Sequence, residues 1–256
     1  MYHPHSMSFN TNQKALLSLF FLGIVFCSSI FAQEQIKTRS FSGAITVTNN
    51  GISLLPTFTL GKPAAIFDFA VKSKKWSFEP QLRFSLEGKP WTFVFWGRYK
   101  VIDEAKFQLT VGAHPAIAFK EENMLNMLGT PKSVITAYRY AATEIVPNWK
   151  IKKNVSVGLY YLNTHGIDEG TTHNTHFVTL NSTLSKIKIV PNTYLKFQPQ
   201  IYYLKMDNKQ GYYASSTFTL NHAKSPFSIS SILNKKIHTN LTGDDFIWNV
   251  SLVYSF

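Results

Sequence analysis

The sequence predicts an all-β fold: an antiparallel, up-and-down transmembrane β-barrel of about twelve strands, bounded between ten and fourteen. Three observations carry this reading. From about residue 51 onward, segments of ten to fourteen residues alternate apolar with polar side chains, the period of a strand with two opposite faces. Such segments are roughly twice the usual globular strand, and they match the nine to eleven residues that a strand tilted about 45° needs to cross a bilayer. The composition agrees, with 15% aromatic and only 16% charged residues among 256, against roughly 25% charged in an ordinary soluble domain. Phe, Tyr, Trp, Thr and Ser are the usage of pleated strands. Disorder is therefore excluded. A helical multi-span membrane protein is excluded too, because past the first thirty residues no uncharged stretch approaches eighteen apolar residues.

The first segment stands apart from this pattern. After the lone cation Lys14 an uncharged run, Ala15 to Gln33, contains LLSLFFLGIVF and ends in Ser28-Ser29-Ile30-Phe31-Ala32. That is the layout of a secretory signal peptide over residues 1–32, with cleavage expected after Ala32; an uncleaved anchor helix is the other reading. A start at Met7 would serve equally well. Cys27 follows Phe26 rather than a small residue, which argues against a lipid-modified cysteine. Cys27 is the only cysteine, so a chain cleaved there has no disulfide, thiol nucleophile or thiolate metal site. Its formal charge is +11, the +12 of the whole chain less Lys14.

Residues 33–50 come next as a lead-in or an extra strand, since FSGAITVT at 41–48 alternates only weakly. Twelve runs follow, near 51–60, 63–71, 75–87, 90–102, 105–117, 134–147, 153–163, 174–186, 192–206, 211–222, 226–236 and 245–256. The clearest sets Trp76, Phe78, Pro80, Leu82, Phe84 and Leu86 against Ser77, Glu79, Gln81, Arg83, Ser85 and Glu87. The next sets Trp91, Phe93, Phe95, Tyr99 and Val101 against Thr92, Arg98 and Lys100, with Val94 and Trp96 blurring the polar side. The last sets Phe246, Trp248, Val250, Leu252, Tyr254 and Phe256 against Asp245, Asn249, Ser251 and Ser255. Short connections imply an antiparallel meander. Counting back from the last strand, the connections near 72–75, 103–105, 148–152, 187–192 and 223–225 are short, while those near 118–133, 164–173 and 237–244 are longer. Short turns at one end and longer loops at the other are the asymmetry of membrane barrels.

In hydrocarbon every backbone N–H and C=O must be paired within the protein, so a spanning sheet has to close on itself. Its apolar face then meets lipid and its polar face the lumen. Alternation alone does not say which face is inside, and a secreted β-sandwich shows the same period. Strand length favours the barrel.

The ending WNVSLVYSF, with Trp248, Val250, Leu252, Tyr254 and Phe256 alternating, resembles the final strand of Gram-negative outer-membrane β-barrels. The resemblance implies a bacterial outer-membrane location reached through the signal peptide, a coat of lipid and lipopolysaccharide, and a C-terminal strand read by the barrel-assembly machinery. It identifies a class without an activity.

On that reading Asp68, Glu79, Gln81, Arg83, Glu87, Arg98, Lys100, Arg139, Lys196, Gln198 and Gln200 line the lumen. They form either a selectivity surface for anionic or sugar-like solutes or a network bracing a narrow barrel. A passive channel or small-solute pore is the expected function. One alternative is a hydrolase at the outer rim, where His165, Asp168, His238, Asp244 and Asp245 have the residue types to activate water; another is a structural or adhesive barrel with a plugged lumen. No HDSNG-like stretch of the outer-membrane phospholipases is present. His165, His173 and His176, with Asp168 and Glu169, offer weak metal ligands without a diagnostic spacing. No cofactor and no assigned catalytic residue is expected. Lysines at 72, 74, 75, 150, 152, 153, 186 and 188 are spread over separate turns, which suits anionic head groups rather than nucleic acid. Trp76, Trp91, Trp149 and Tyr161 are expected in the interfacial girdle.

Overall fold

The computed structural model describes residues 39–53, 55, 59–125 and 131–256. The expected signal segment lies outside the described residues. The chain runs as β1 (Ser40–Thr48), β2 (Ala64–Lys72), β3 (Trp76–Ser85), β4 (Pro90–Asp103), β5 (Phe107–Leu125), β6 (Pro131–Lys152), β7 (Val155–Gly166), β8 (Asn174–Val190), β9 (Thr193–Met206), β10 (Lys209–His222), β11 (Phe227–Thr239), β12 (Phe246–Trp248) and β13 (Ser251–Ser255). Each strand pairs antiparallel with its neighbour in sequence; β12 and β13 share β11 as partner, and β13 returns to β1. Counting β12 and β13 as one interrupted stave, this is a closed twelve-stranded barrel. No helix occurs among the described residues.

The strand count agrees with the sequence reading, although one element is exchanged. Residues 40–48 form a full stave, paired with β2 from Ser40↔Lys72 to Thr48↔Ala64 and with β13 from Ala44↔Ser255 to Thr48↔Ser251. Residues 51–60, expected as a strand, contain none among those described. Of the described residues there, Ile52 and Leu55 are buried, and Gly51 is bonded through its backbone to Leu60 and Lys62. Ile52 and Leu55 serve interior packing rather than a pleated wall. Two strands also run longer than the periodicity suggested: β5 has 19 residues and β6 has 22. The loop expected near 118–133 is therefore mostly hairpin, and residues 148–152 belong to β6, the turn following at 153–154.

Strand ends sort into two rims. The rim where β1 starts and β13 finishes carries the turns 73–75, 104–106, 153–154, 191–192 and 223–226. The opposite rim carries the longer segments 49–63, 167–173 and 240–245. Asn192 and Asp207, both at positive φ, sit in two-residue turns, where Asn and Asp tolerate the left-handed region.

The outward face is an apolar coat. Phe41, Trp76, Phe78, Ile201, Phe227, Ile229, Trp248 and Leu252 are each about half exposed or more. Near the turn rim, aromatic pairs Trp76–Tyr99 (4.6 Å), Phe107–Trp149 (5.2 Å) and Phe227–Tyr254 (5.1 Å) form a girdle. Trp91 is not part of any outward girdle. In the register Arg83 faces Thr92 while Phe84 faces Pro90, so Trp91 is the extra residue of a bulge. Its ring turns inward and is 4% exposed.

The seam between first and last staves explains the terminal Phe256. Gly43 and Phe256 exchange both backbone hydrogen bonds, at 2.9 and 3.0 Å. The Phe256 ring lies over Gly43, where an added Cβ would stand only 2.5 Å from Cζ. Ring and glycine fit as complementary shapes across the closing pair.

Candidate functional site

The inward residues divide the lumen into levels. On the turn side the wall is polar, with Lys196, Gln198 and Thr183 among its members; Gln198 donates to Thr183 Oγ1 at 3.3 Å. Above it lies an ionic belt. Arg98 on β4 donates through Nε to Glu144 Oε1 at 2.5 Å and through Nη2 to Glu144 Oε2 at 3.4 Å, while Nη1 bonds Glu79 on β3. The Glu144 side chain has 0% exposure. A buried carboxylate is sustained there only because the guanidinium fills its hydrogen-bonding capacity. Gly112 on β5 makes the space, since a Cβ at that position would come within 2.7 Å of Glu144 Oε1. Arg98 also stacks 4.2 Å above the Trp96 ring, which in turn lies 3.9 Å from His114.

Over the belt opens a central chamber of about 400 Å³, walled by Gln81, Arg83, Thr92, Trp96, Arg98, His114, Tyr160, Asn181 and Gln200 among others. An apolar layer closes it toward the loop rim. Leu162, Phe177, Tyr202, Leu204, Met206 and Tyr213 project from β7 to β10 and meet Leu55 and Leu241, which descend from the two inward loops. Tyr202 stacks on Tyr213 at 4.8 Å and donates its hydroxyl to Asn234 Oδ1 at 3.0 Å. Beyond this layer the mouth holds two hollows of about 460 and 310 Å³.

Of the residues expected in the lumen, Asp68, Glu79, Gln81, Arg83, Arg98, Lys100, Lys196, Gln198 and Gln200 lie on inward faces, with Lys100 at the turn rim beside Asp103. Two do not. Glu87 occupies the turn after β3, 56% exposed near Lys62 and Lys89. Arg139 points outward, because the β6 phase sends Tyr140, Ala142 and Glu144 inside. It grips Asp168 of the 167–173 loop through Nη2 at 2.5 Å, and Asp168 also accepts from the Arg139 backbone at 2.6 Å.

The other sequence candidates are dispersed. His165 and His176 lie outward on β7 and β8, His176 bonded to Tyr161 at 2.9 Å, and His173 lies in the loop between these strands. Among the described residues no three His, Cys, Asp or Glu side chains gather as a metal site. The 167–173 and 240–245 loops line one hollow through Gly170, Thr172, Leu241 and Thr242, but Asp168 there is paired with Arg139 and Asp245 lies 3.8 Å from Lys236.

Sequence reasoning missed Glu144, His114 and the apolar layer. Glu144 had a legible signal, since a lone carboxylate between Ala142 and Val146 at alternate positions fixes the inward phase of β6. The layer had one too: Ile201-Tyr202-Tyr203-Leu204 breaks alternation, as a strand buried on both faces does.

The Arg139–Asp168 tie has a testable pH signature. The Arg139 side chain, and after it the Arg139 backbone N–H, hold the Asp168 carboxyl below its ordinary value of 3.8. A depressed carboxylate contributes stability that is present above the ordinary value and is lost as pH falls through the lowered one. Carboxyl NMR in micelles should find the Asp168 midpoint below 3.8, moving up in Arg139→Gln. An ordinary midpoint in the unaltered protein would refute the tie.

A closed antiparallel sheet, apolar outside and polar to mid-height within, defines the class: this is the outer-membrane β-barrel fold. Among solved structures, the chain is similar to the KdgM porin in complex with disordered oligogalacturonate, at TM-score 0.55 and 9% identity over 84% of this chain and 99% of that one. It is similar also to the KdgM porin alone, at TM-score 0.53 and 8% identity with the same coverage. No family model matches the chain, and no curated protein matches it in sequence.

Proposed function

We propose that the protein is a passive outer-membrane channel for small anionic solutes, exported by its signal segment and closed into the bilayer by the barrel-assembly machinery acting on the final strand. The supporting observation is the lumen: it is polar from the turn rim to the ionic belt and carries Lys196, Arg98 and Arg83 on its wall. The fold shared with the KdgM porins agrees with this reading. A cation-rich wall lowers the barrier to anions and raises it to cations. Glu79 and Glu144 offset Arg98, and Asp68 shares the inward face of Arg83, so Lys196 carries the selectivity.

The apolar layer is the constriction. Leu55 and Leu241 come from loops rather than staves, so they can be shortened without opening the sheet. In a planar bilayer the protein should conduct KCl with a reversal potential favouring chloride. Leu55→Ala with Leu241→Ala should raise single-channel conductance severalfold, and Lys196→Glu should move the reversal potential toward the cation side. Absence of conductance from folded protein, or a cation preference, overturns the proposal.

A further inference from the structure

The turn-side end of the lumen differs electrically from the rest of it. The five turns on that rim hold Lys74, Lys75, Lys106, Lys153 and Lys224 against a single carboxylate, Glu104. Such a rim draws anions toward the aperture. Deeper in, the cations are offset: Arg98 is bonded to Glu79 and Glu144, and Arg83 shares its inward face with Asp68. Between rim and belt stands a pair that is not. Lys196 on β9 and Lys188 on β8 both face the lumen, and neither has an ion pair or a hydrogen bond among the described residues. Lys188 is exposed and Lys196 partly buried, with both ammonium groups open to the lumen.

A kink in the backbone brings the two together. Counted alternately from Leu184, which faces outward opposite Phe197, position 188 would face outward as well. A bulge prevents this. Ser185 and Lys186 together oppose Lys196, Lys186 takes φ 56, and pairing resumes at Ile187↔Leu195 and Lys188↔Tyr194. A long side chain seldom occupies that left-handed region, so the bulge is locally strained, and its result is to turn Lys188 inward. Lys188 and Lys196 then stand diagonally on neighbouring strands, about 7–8 Å apart. On the next rung Gln198 Nε2 donates to Thr183 Oγ1 at 3.3 Å, which leaves the Thr183 hydroxyl proton and the second Gln198 amide proton to donate. Two ammonium groups on flexible stems are point charges, not the planar fork that matches a carboxylate. They suit a tetrahedral dianion, which presents oxygens in several directions and gains from each cation twice what a monoanion gains.

We propose that Lys188 and Lys196, with Thr183 and Gln198 beside them, form a subsite in the turn-side lumen for a small solute bearing a phosphate dianion, inorganic phosphate being the simplest. The inference rests on the channel reading and deepens it, because it names the anion that the lumen concentrates.

The experiment uses the full barrel folded in neutral detergent micelles, with heat-dependent gel mobility confirming the fold of every variant. Inorganic phosphate and acetate are titrated calorimetrically at about pH 8, where the second phosphate proton is off, and KCl conductance is recorded on the same preparations. Phosphate should bind at least about tenfold more tightly than acetate, the scale of one charge-assisted hydrogen bond. Lys188→Gln and Lys196→Gln should each weaken phosphate about tenfold; should Lys196→Gln fail to fold, Lys188→Gln still decides. Lys224→Gln, in a turn outside the subsite, should leave phosphate binding unchanged. Phosphatidylglycerol added to the micelles should not displace phosphate, since the subsite faces the lumen. Acetate binding as tightly as phosphate, an equal loss in Lys224→Gln, or displacement by the lipid each overturns the subsite. Normal conductance without phosphate discrimination defeats this inference alone. Phosphate binding without conductance defeats the channel reading alone.

Discussion

Replacing Glu144 by leucine is expected to destabilise the folded barrel by about 3 kcal/mol, the lower end of the range for removing one partner of a buried ion pair. The Glu144 side chain is wholly buried and accepts two hydrogen bonds from Arg98. Its loss strands a guanidinium that retains only Glu79 on the same level. Changing Arg98→Met together with Glu144→Leu should cost less than Glu144→Leu alone. The pair then becomes apolar, while Glu79, 22% exposed and 4.0 Å from Lys72, remains served on the polar side. Urea unfolding in lipid vesicles measures both. A double variant as unstable as the sum of its single changes would show that Arg98 and Glu144 are not coupled.

The second large effect concerns the outer face. Leu252→Lys is expected to cost about 2–4 kcal/mol, as cations do on the lipid face at mid-bilayer. Leu252 points outward at 52% exposure, four residues before Phe256. Ser228→Lys, inward on β11 toward the turn rim, should cost less than about 1 kcal/mol, because the added amine reaches lumen water. Equal costs at the two positions would overturn the assignment of inside and outside. Alternation alone also makes Trp248→Lys expensive and its neighbour Asn249→Lys cheap. The structure revises that contrast. Asn249 is 4% exposed; its Oδ1 accepts from the Ile232 backbone at 2.8 Å, and its Nδ2 donates to the Asn50 carbonyl at 3.2 Å. Asn249→Lys breaks both bonds and leaves a buried N–H, at about 1–3 kcal/mol, comparable with the change at Trp248 nearer the membrane edge.

Asn249 shows where reading faces from period two stops. It stands on the inward side, as the alternation requires, but interrupts the ladder between β12 and β13 and passes the hydrogen bonding to side chains. Asn49 completes the splice by accepting from the Val250 backbone at 2.7 Å. Those partners lie about 200 residues apart in sequence, so no local pattern announces them. Trp91 and Arg139 failed for related reasons. A single bulge reverses the face of Trp91, and Arg139 takes its face from the phase of β6, which Glu144 sets and a mixed run of Tyr, Ala and Thr conceals. The run at 51–60 reads as a strand from its apolar content alone, although Leu54-Leu55 and Pro56 interrupt its alternation. Its fate depended on whether the barrel mouth had an apolar layer for Leu55 to join.

What the sequence determined by itself was what local periodicity and the solvent govern: a barrel of about twelve strands, their antiparallel order and an apolar coat. Those follow because a bilayer accepts only closed sheets, and a closed sheet imposes period two on every stave. The tertiary structure alone decided what fills the lumen. That outcome depends on which inward side chains meet inside the barrel, from staves and loops far apart in the chain: Arg98 with Glu144, and Leu55 and Leu241 with Phe177 and Leu204. Each stave presents its inward residues independently, and only closure brings them within a few ångströms, where charge pairs with charge and loop side chains pack on the wall.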